Sequence, residues 1–207
     1  MLTMTRRAMG VAGLAMIVTA TGVWAQPAPP TVRVRGEITK VDGTTLLVKM
    51  RDGQNVTVKL AQPPRIAAML KASLADIKNG SFIGVSAMPQ PDGTQKAYAV
   101  HIFMDAQKGV VADRHGPWDS RPGSTMTNAN VASTVSGNDG QNLLVKYKDG
   151  EKKIVVPPDA VILAYAVGDK NELKPGAHVA IIRAMKKPDD SLEANRVNVG
   201  RGGVVPQ

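Results

Sequence analysis

Apolar and polar residues alternate along most of this chain, in short runs closed by turn dipeptides. Val32, Val34 and Ile38, then Leu46, Val48 and Met50, then Val56, Val58 and Leu60 stand among Arg, Lys, Glu and Thr. A period of two puts one set of side chains on one sheet face, so these runs predict three half-buried strands, with Gly36 at a bend or bulge. Asp42-Gly43 and Asp52-Gly53 supply the tight turns between them. After Pro63-Pro64 the period changes. Ile66, Met69, Leu70, Leu74 and Ile77 recur at helical spacing, which predicts a short helix over residues 66–77. Residues 81–88 and 96–103, on either side of Pro91-Asp92-Gly93, predict a fourth and a fifth strand.

The same code is written twice. Residues 41–53, V-D-G-T-T-L-L-V-K-M-R-D-G, return at 138–150 as N-D-G-Q-N-L-L-V-K-Y-K-D-G. Ile77-Lys78-Asn79-Gly80 is answered by Leu173-Lys174-Pro175-Gly176, and Val100 and Ile102 by Val197 and Val199, at an offset of 96 to 97 residues. Three strands, a helix and two strands form the pattern of a five-stranded OB-like barrel plugged at one end. The expected fold is therefore all-β with minor α content: two tandem five-stranded OB-like barrels, each with a short helix between strands three and four. Residues 32–104 form the first, residues 131–200 the second, and a long ordered connector of residues 105–130 joins them. Residues 159–169 are richer in β-branched side chains, so the second helix is expected to be shorter. Residues 201–207 read as a frayed tail.

Residues 1–25 change the picture of where the chain works. Arg6 and Arg7 precede a short apolar run, and Val23-Trp24-Ala25 suits cleavage, which is the layout of a secretory signal peptide. The run is too short and too rich in Gly, Ala and Thr for a membrane span, and no other segment reaches the ~20 apolar residues one needs. Residues 26–31 form a proline-rich leader. A periplasmic location follows, with no transmembrane span in the mature chain. The absence of cysteine excludes disulfides and thiolate metal sites.

The whole chain carries a formal charge of +9, and without Arg6 and Arg7 about +7. A basic exported protein meets anionic lipid headgroups and acidic polymers, so the expected partner is an envelope protein or an anionic envelope polymer, with peripheral membrane contact compatible with that charge. Nucleic acid is not expected: Arg33, Arg35 and Lys49 provide positive charge on outward strand positions, but the aromatic platforms on which bases stack are few.

Candidate chemistry concentrates in the connector. Trp118 stands beside Arg114, His115, Asp119 and Arg121. A tryptophan there can seal a long loop against a barrel, and it can equally wall a ligand pocket at a domain junction. The candidate ligand-binding residues are thus Trp118, Arg114, Asp119, Arg33, Arg35 and Lys49. His101, His115 and Asp105 offer imidazole and carboxylate groups of the kind that bind a divalent metal, although their spacing matches no standard pattern. His101, between Val100 and Ile102, is placed on the solvent side of the fifth strand. No G-x-S-x-G elbow, H-E-x-x-H or cysteine nucleophile occurs, so catalysis is not expected.

Several phrases also carry a family likeness. Ser73-Leu74-Ala75-Asp76-Ile77-Lys78, Ala87-Met88-Pro89-Gln90-Pro91-Asp92-Gly93, Gly116-Pro117-Trp118-Asp119 and Pro122-Gly123-Ser124-Thr125-Met126-Thr127-Asn128 resemble an exported proteobacterial family of unknown function with tandem OB-like β-barrel domains. Some of its members carry the label of metal ABC transporter permease, which a chain without several spans cannot satisfy. The family pattern places Glu-Gly-His before Arg-Pro-Trp-Asp, where this chain has Asp113-Arg114-His115-Gly116. The expectation is a non-catalytic periplasmic binding or scaffolding protein without a cofactor. The alternative is a divalent-metal or small-ligand binder using the His101/His115 region.

Overall fold

The computed structural model describes residues 30–137 and 140–206, so the expected signal peptide, residues 26–29 of the leader, the Asn138-Asp139 pair and Gln207 lie outside it. The first three predicted strands form as β1 (Thr31–Asp42), β2 (Thr45–Met50) and β3 (Asn55–Lys71), an antiparallel meander. Their inward residues Val34, Ile38, Leu46, Val48, Val58 and Leu60 are all buried. Each such side chain stabilises the fold by roughly 1.5–3 kcal/mol. β4 (Phe82–Pro89), β5 (Gln95–Ile102), β6 (Arg114–Pro117), β7 (Thr125–Gly137), β8 (Gly140–Tyr147) and β9 (Gly150–Val156) follow. β10 (Val161–Val167), β11 (His178–Lys186) and β12 (Leu192–Gly200) complete the order.

Two tandem barrels do not form. One five-stranded barrel closes in the order β12-β11-β1-β2-β3, with β3 and β12 joining in parallel, and the other seven strands are bonded outside it in the same continuous sheet. The barrel takes β1–β3 from the first sequence copy and β11–β12 from the second; Val34, Ile38, Val48 and Val58 pack with Val179, Ile181, Val197 and Val199. Reciprocally, β4 and β5 of the first copy share a core with β7, β8 and β9 of the second, built on Ile83, Val85, Val100, Val131, Leu143 and Ile154. In that second assembly β5 and β9 meet only at Gln95↔Ile154 and Lys96↔Val155. The exchange repeats the same bonds in both directions. The Ile38 N–H donates to the Ala177 carbonyl (2.9 Å) and the Gly176 N–H to that of Ile38 (2.8 Å); Val131 exchanges the equivalent pair with Ser81 and Gly80, both 2.8 Å.

The cause of the exchange lies in residues 65–71, where the expected helix is replaced by strand. β3 does not end at Pro63-Pro64. The pairing with β12 steps from Leu60↔Ala194 to Arg65↔Arg196, so the two prolines, which have no N–H to give, occupy an outward bulge. Beyond it, Ala67, Ala68 and Met69 are buried in succession between β12 on one side and antiparallel β10 on the other. Two neighbouring strands satisfy this backbone on both edges, and that outweighs the helical spacing of the side chains. Of the two expected helices only the single 3-10 turns Leu74–Asp76 and Lys170–Glu172 remain, a third such turn, Asp105–Gln107, lies in the connector, and no α-helix occurs among the described residues.

Two local features complete the frame. Gly36 is not itself a bulge, since the register shifts fall at Val32/Val34 and Ile38/Lys40. It is the point where β1 passes between β11 and β2, so close to β2 that a Cβ would lie 2.2 Å from the Lys49 carbonyl oxygen and 2.9 Å from the Met50 Cα. The tail is not frayed. Pro206 is buried and its carbonyl accepts from the Arg51 guanidinium (2.9 Å), while Arg201 forks onto Glu172 at 2.6 and 3.0 Å.

Candidate functional site

Alternation along β1 turns Val34 into the barrel and leaves Arg33 and Arg35 on its outer surface, two residues apart on the same face. The connector brings Trp118 against them. The guanidinium carbons of Arg33 and Arg35 lie 4.6 and 5.8 Å from the indole centroid, within the range of cation–π attraction. Asp119 pairs with Arg33 and stands 3.5 Å from the Arg35 guanidinium. Partial burial alone would raise the Asp119 carboxyl, but the hydrogen bond from Arg33 and the charges of Arg33 and Arg35 outweigh it and hold the group below its usual range. At 3.5 Å the contact with Arg35 is an ion pair without hydrogen-bond geometry, and Arg35 Nε and Nη2 are buried with no hydrogen-bond partner.

The loop that delivers Trp118 and Asp119 is braced from within. The Trp118 N–H donates to the Ser124 carbonyl (2.9 Å), and the buried Ser124 hydroxyl reaches the carbonyls of Trp118 (3.2 Å) and Arg121 (2.7 Å). Its far side rests on β5. Ser120 is hydrogen-bonded to the Tyr98 hydroxyl, and the Arg121 guanidinium lies 3.9 Å from the Tyr98 ring centroid. The loop therefore ties the closed barrel, through β1, to the second core, through β5.

Of the residues singled out from sequence, Trp118, Asp119, Arg33 and Arg35 come together. Lys49 is exposed on β2 opposite Glu37, diagonal to Arg35 on the outer face, and Arg114 is exposed on β6 opposite Asn128. The metal candidates are on separate elements. Asp105 opens an exposed 3-10 turn, and His115 on β6 shares a 2.8 Å hydrogen bond between its Nδ1 and the Thr127 hydroxyl. Burial, and then the charge of Lys152, lower the His115 pKa. His101 is not on the solvent side of its strand: it is 6% exposed, its Nε2 has no hydrogen-bond partner, and burial lowers its pKa to about 4. It faces an aromatic cluster in which Tyr165 stacks on Phe103 at 5.2 Å and Phe103 contacts Phe82 at 5.3 Å. Among the described residues no group of three or more His, Cys, Asp or Glu is placed to hold a metal ion.

Tyr98 and Ser120 were missed, and Arg121 was noted beside Trp118 without its partner. Arg121 and Ser120 lie in plain view in the connector, but their partner on β5 reads as an ordinary outward strand residue, and only the path of the loop joins them. An open groove of about 900 Å³ lies elsewhere, between Lys71, Leu74, Asp159, Val161 and the tail at Val205. No buried polar group converges on it.

Fold and site together define a mostly-β protein with one closed barrel, extra strands bonded around it, and a tryptophan-capped arginine pair on the barrel's outer face. No protein-family model, no curated protein and no solved structure matches the chain. No helix among the described residues is long and apolar enough to cross a membrane.

Proposed function

We propose that this chain is a non-catalytic binding module of the bacterial cell envelope, exported by its N-terminal signal and recognising an anionic envelope component. The observation that carries the reading is the pair Arg33 and Arg35, held side by side on an outer barrel face against Trp118. Two guanidiniums fixed by packing lose little freedom on meeting an anion, and each presents a planar fork that matches oxyanion geometry. The net positive charge supplies long-range attraction towards an anionic surface. The basic signal-like segment and the family likeness support export. Among the described residues no assembled ligand set favours the metal-binding alternative.

The test is sedimentation with vesicles containing phosphatidylglycerol at rising salt. Binding should be firm at low ionic strength and fall steeply as salt approaches about 0.15 M, where the screening length shrinks to about 8 Å. The double variant Arg33→Ala, Arg35→Ala should lose most of it. Absence of binding by the unaltered protein at low salt would remove the proposal.

A further inference from the structure

Asp119 is the only carboxylate paired with Arg33 and Arg35 among the described residues, and it serves the two unequally. Arg33 receives a hydrogen-bonded partner. Arg35 receives a 3.5 Å charge contact, and its Nε and Nη2, both fully removed from solvent, have no acceptor. A buried guanidinium with unspent donors is costly, and an acceptor that reaches them is rewarded by more than an ordinary hydrogen bond. A planar carboxylate with two oxygens, anchored to the backbone of residue 119, cannot satisfy both forks. A tetrahedral phosphoryl group, with its non-ester oxygens spread over a wider arc, can face Arg33 and Arg35 together.

Asp119 is also the replaceable member of the cluster. Its side chain is 47% exposed, whereas that of Arg35 is 17% exposed. The loop does not depend on it for shape, because the Ser124 bonds and the Ser120 and Arg121 contacts with Tyr98 brace residues 118–124 independently. We infer that Asp119 is a built-in occupant of a phosphoryl-binding arginine clamp, and that the ligand binds by displacing its carboxylate, which turns out into solvent while Trp118 stays against Arg33 and Arg35. This rests on the anion-binding reading above and adds the ligand class and the regulation: the connector competes with the ligand and lowers its affinity.

The experiment compares three full-length proteins, unaltered, Asp119→Asn and Asp105→Asn, for binding to phosphatidylglycerol vesicles, to neutral phosphatidylcholine vesicles and to inorganic phosphate. Asp105 is an exposed connector residue outside the clamp, so Asp105→Asn makes the same change in net charge. Asp119→Asn should bind phosphatidylglycerol vesicles roughly tenfold more tightly than the unaltered protein, the scale of one charge-assisted hydrogen bond released from competition. Asp105→Asn should change binding little. Competition of the tightened binding by inorganic phosphate would support a phosphoryl site open to free phosphate, and its persistence in phosphate would support one specific to the headgroup. Equal tightening by both variants would show a general charge effect and overturn the inference, as would unchanged or weaker binding by Asp119→Asn. In those two cases the unaltered protein still binds in a salt-sensitive way and the parent reading stands. Failure of all three proteins to bind any anion would sink both.

Discussion

His101 shows how one residue can couple burial to pH. Its imidazole is enclosed beside Tyr165 with Nε2 unpaired, and burial holds its pKa at about 4 against an ordinary 6.5. The folded state resists protonation more than the unfolded chain, so between these values the unfolded chain binds the extra proton and stability falls with falling pH. The stabilising contribution is complete above about pH 6.5 and is lost on the way to pH 4, amounting to about 3 kcal/mol over the whole interval. His115, also held low, adds in the same direction. The second sequence copy indicates the replacement: Asn198 stands where His101 would be and is likewise buried. His101→Asn should flatten the acid limb of a denaturant-midpoint-against-pH curve between pH 6.5 and 4, leaving the smaller slope due to His115. A curve of unchanged steepness would show that the proton is taken up elsewhere. This was not legible from sequence, because Val100-His101-Ile102 reads as ordinary alternation, and it is Tyr165, brought alongside by the parallel approach of β10 to β5, that helps to cover the outward side.

At the scale of elements, strands with one exposed face were legible and segments buried on both faces were not. β1, β2 and β8 follow their period of two closely, since one face meets the core and the other meets water. Residues 65–71 mislead because Ala67, Ala68 and Met69 are all buried, which erases the alternation and leaves a spacing that mimics a helix. The Trp118 connector was legible as a candidate through composition, and its partners Arg33 and Arg35 through their outward phase on β1. Their meeting was not, because it depends on where a long loop lands. Gly36 carries the sharpest element-level prediction. A methyl group there would press on the Lys49 carbonyl and Met50 Cα, both backbone atoms that cannot rotate away. Gly36→Ala should therefore destabilise the protein by about 1–3 kcal/mol, the usual cost of overpacking, as read from the chemical denaturation midpoint. A variant as stable as the parent would mean that β1 and β2 separate there at no cost.

For the whole molecule the consequence is that neither half owns a core. The barrel needs β11 and β12, and the second core needs β4 and β5. Cleavage of the connector near Lys108 to Val110, an exposed turn, should leave both fragments associated as one body on size exclusion. Expressed alone, residues 30–110 and 111–206 should fail to fold, and together they should restore a cooperative unfolding transition. Folding of either half alone would contradict the exchange. Local pattern is enough for β1, β2 and β8, for the turn pairs and for the duplication, because those depend on neighbouring residues: a period of two, a turn pair, a glycine. The tertiary structure alone decided which copy completes which core. Strands with the same apolar pattern offer similar contacts to either partner, so the choice falls to the path of residues 65–71 and 161–167, which run on and pair with each other.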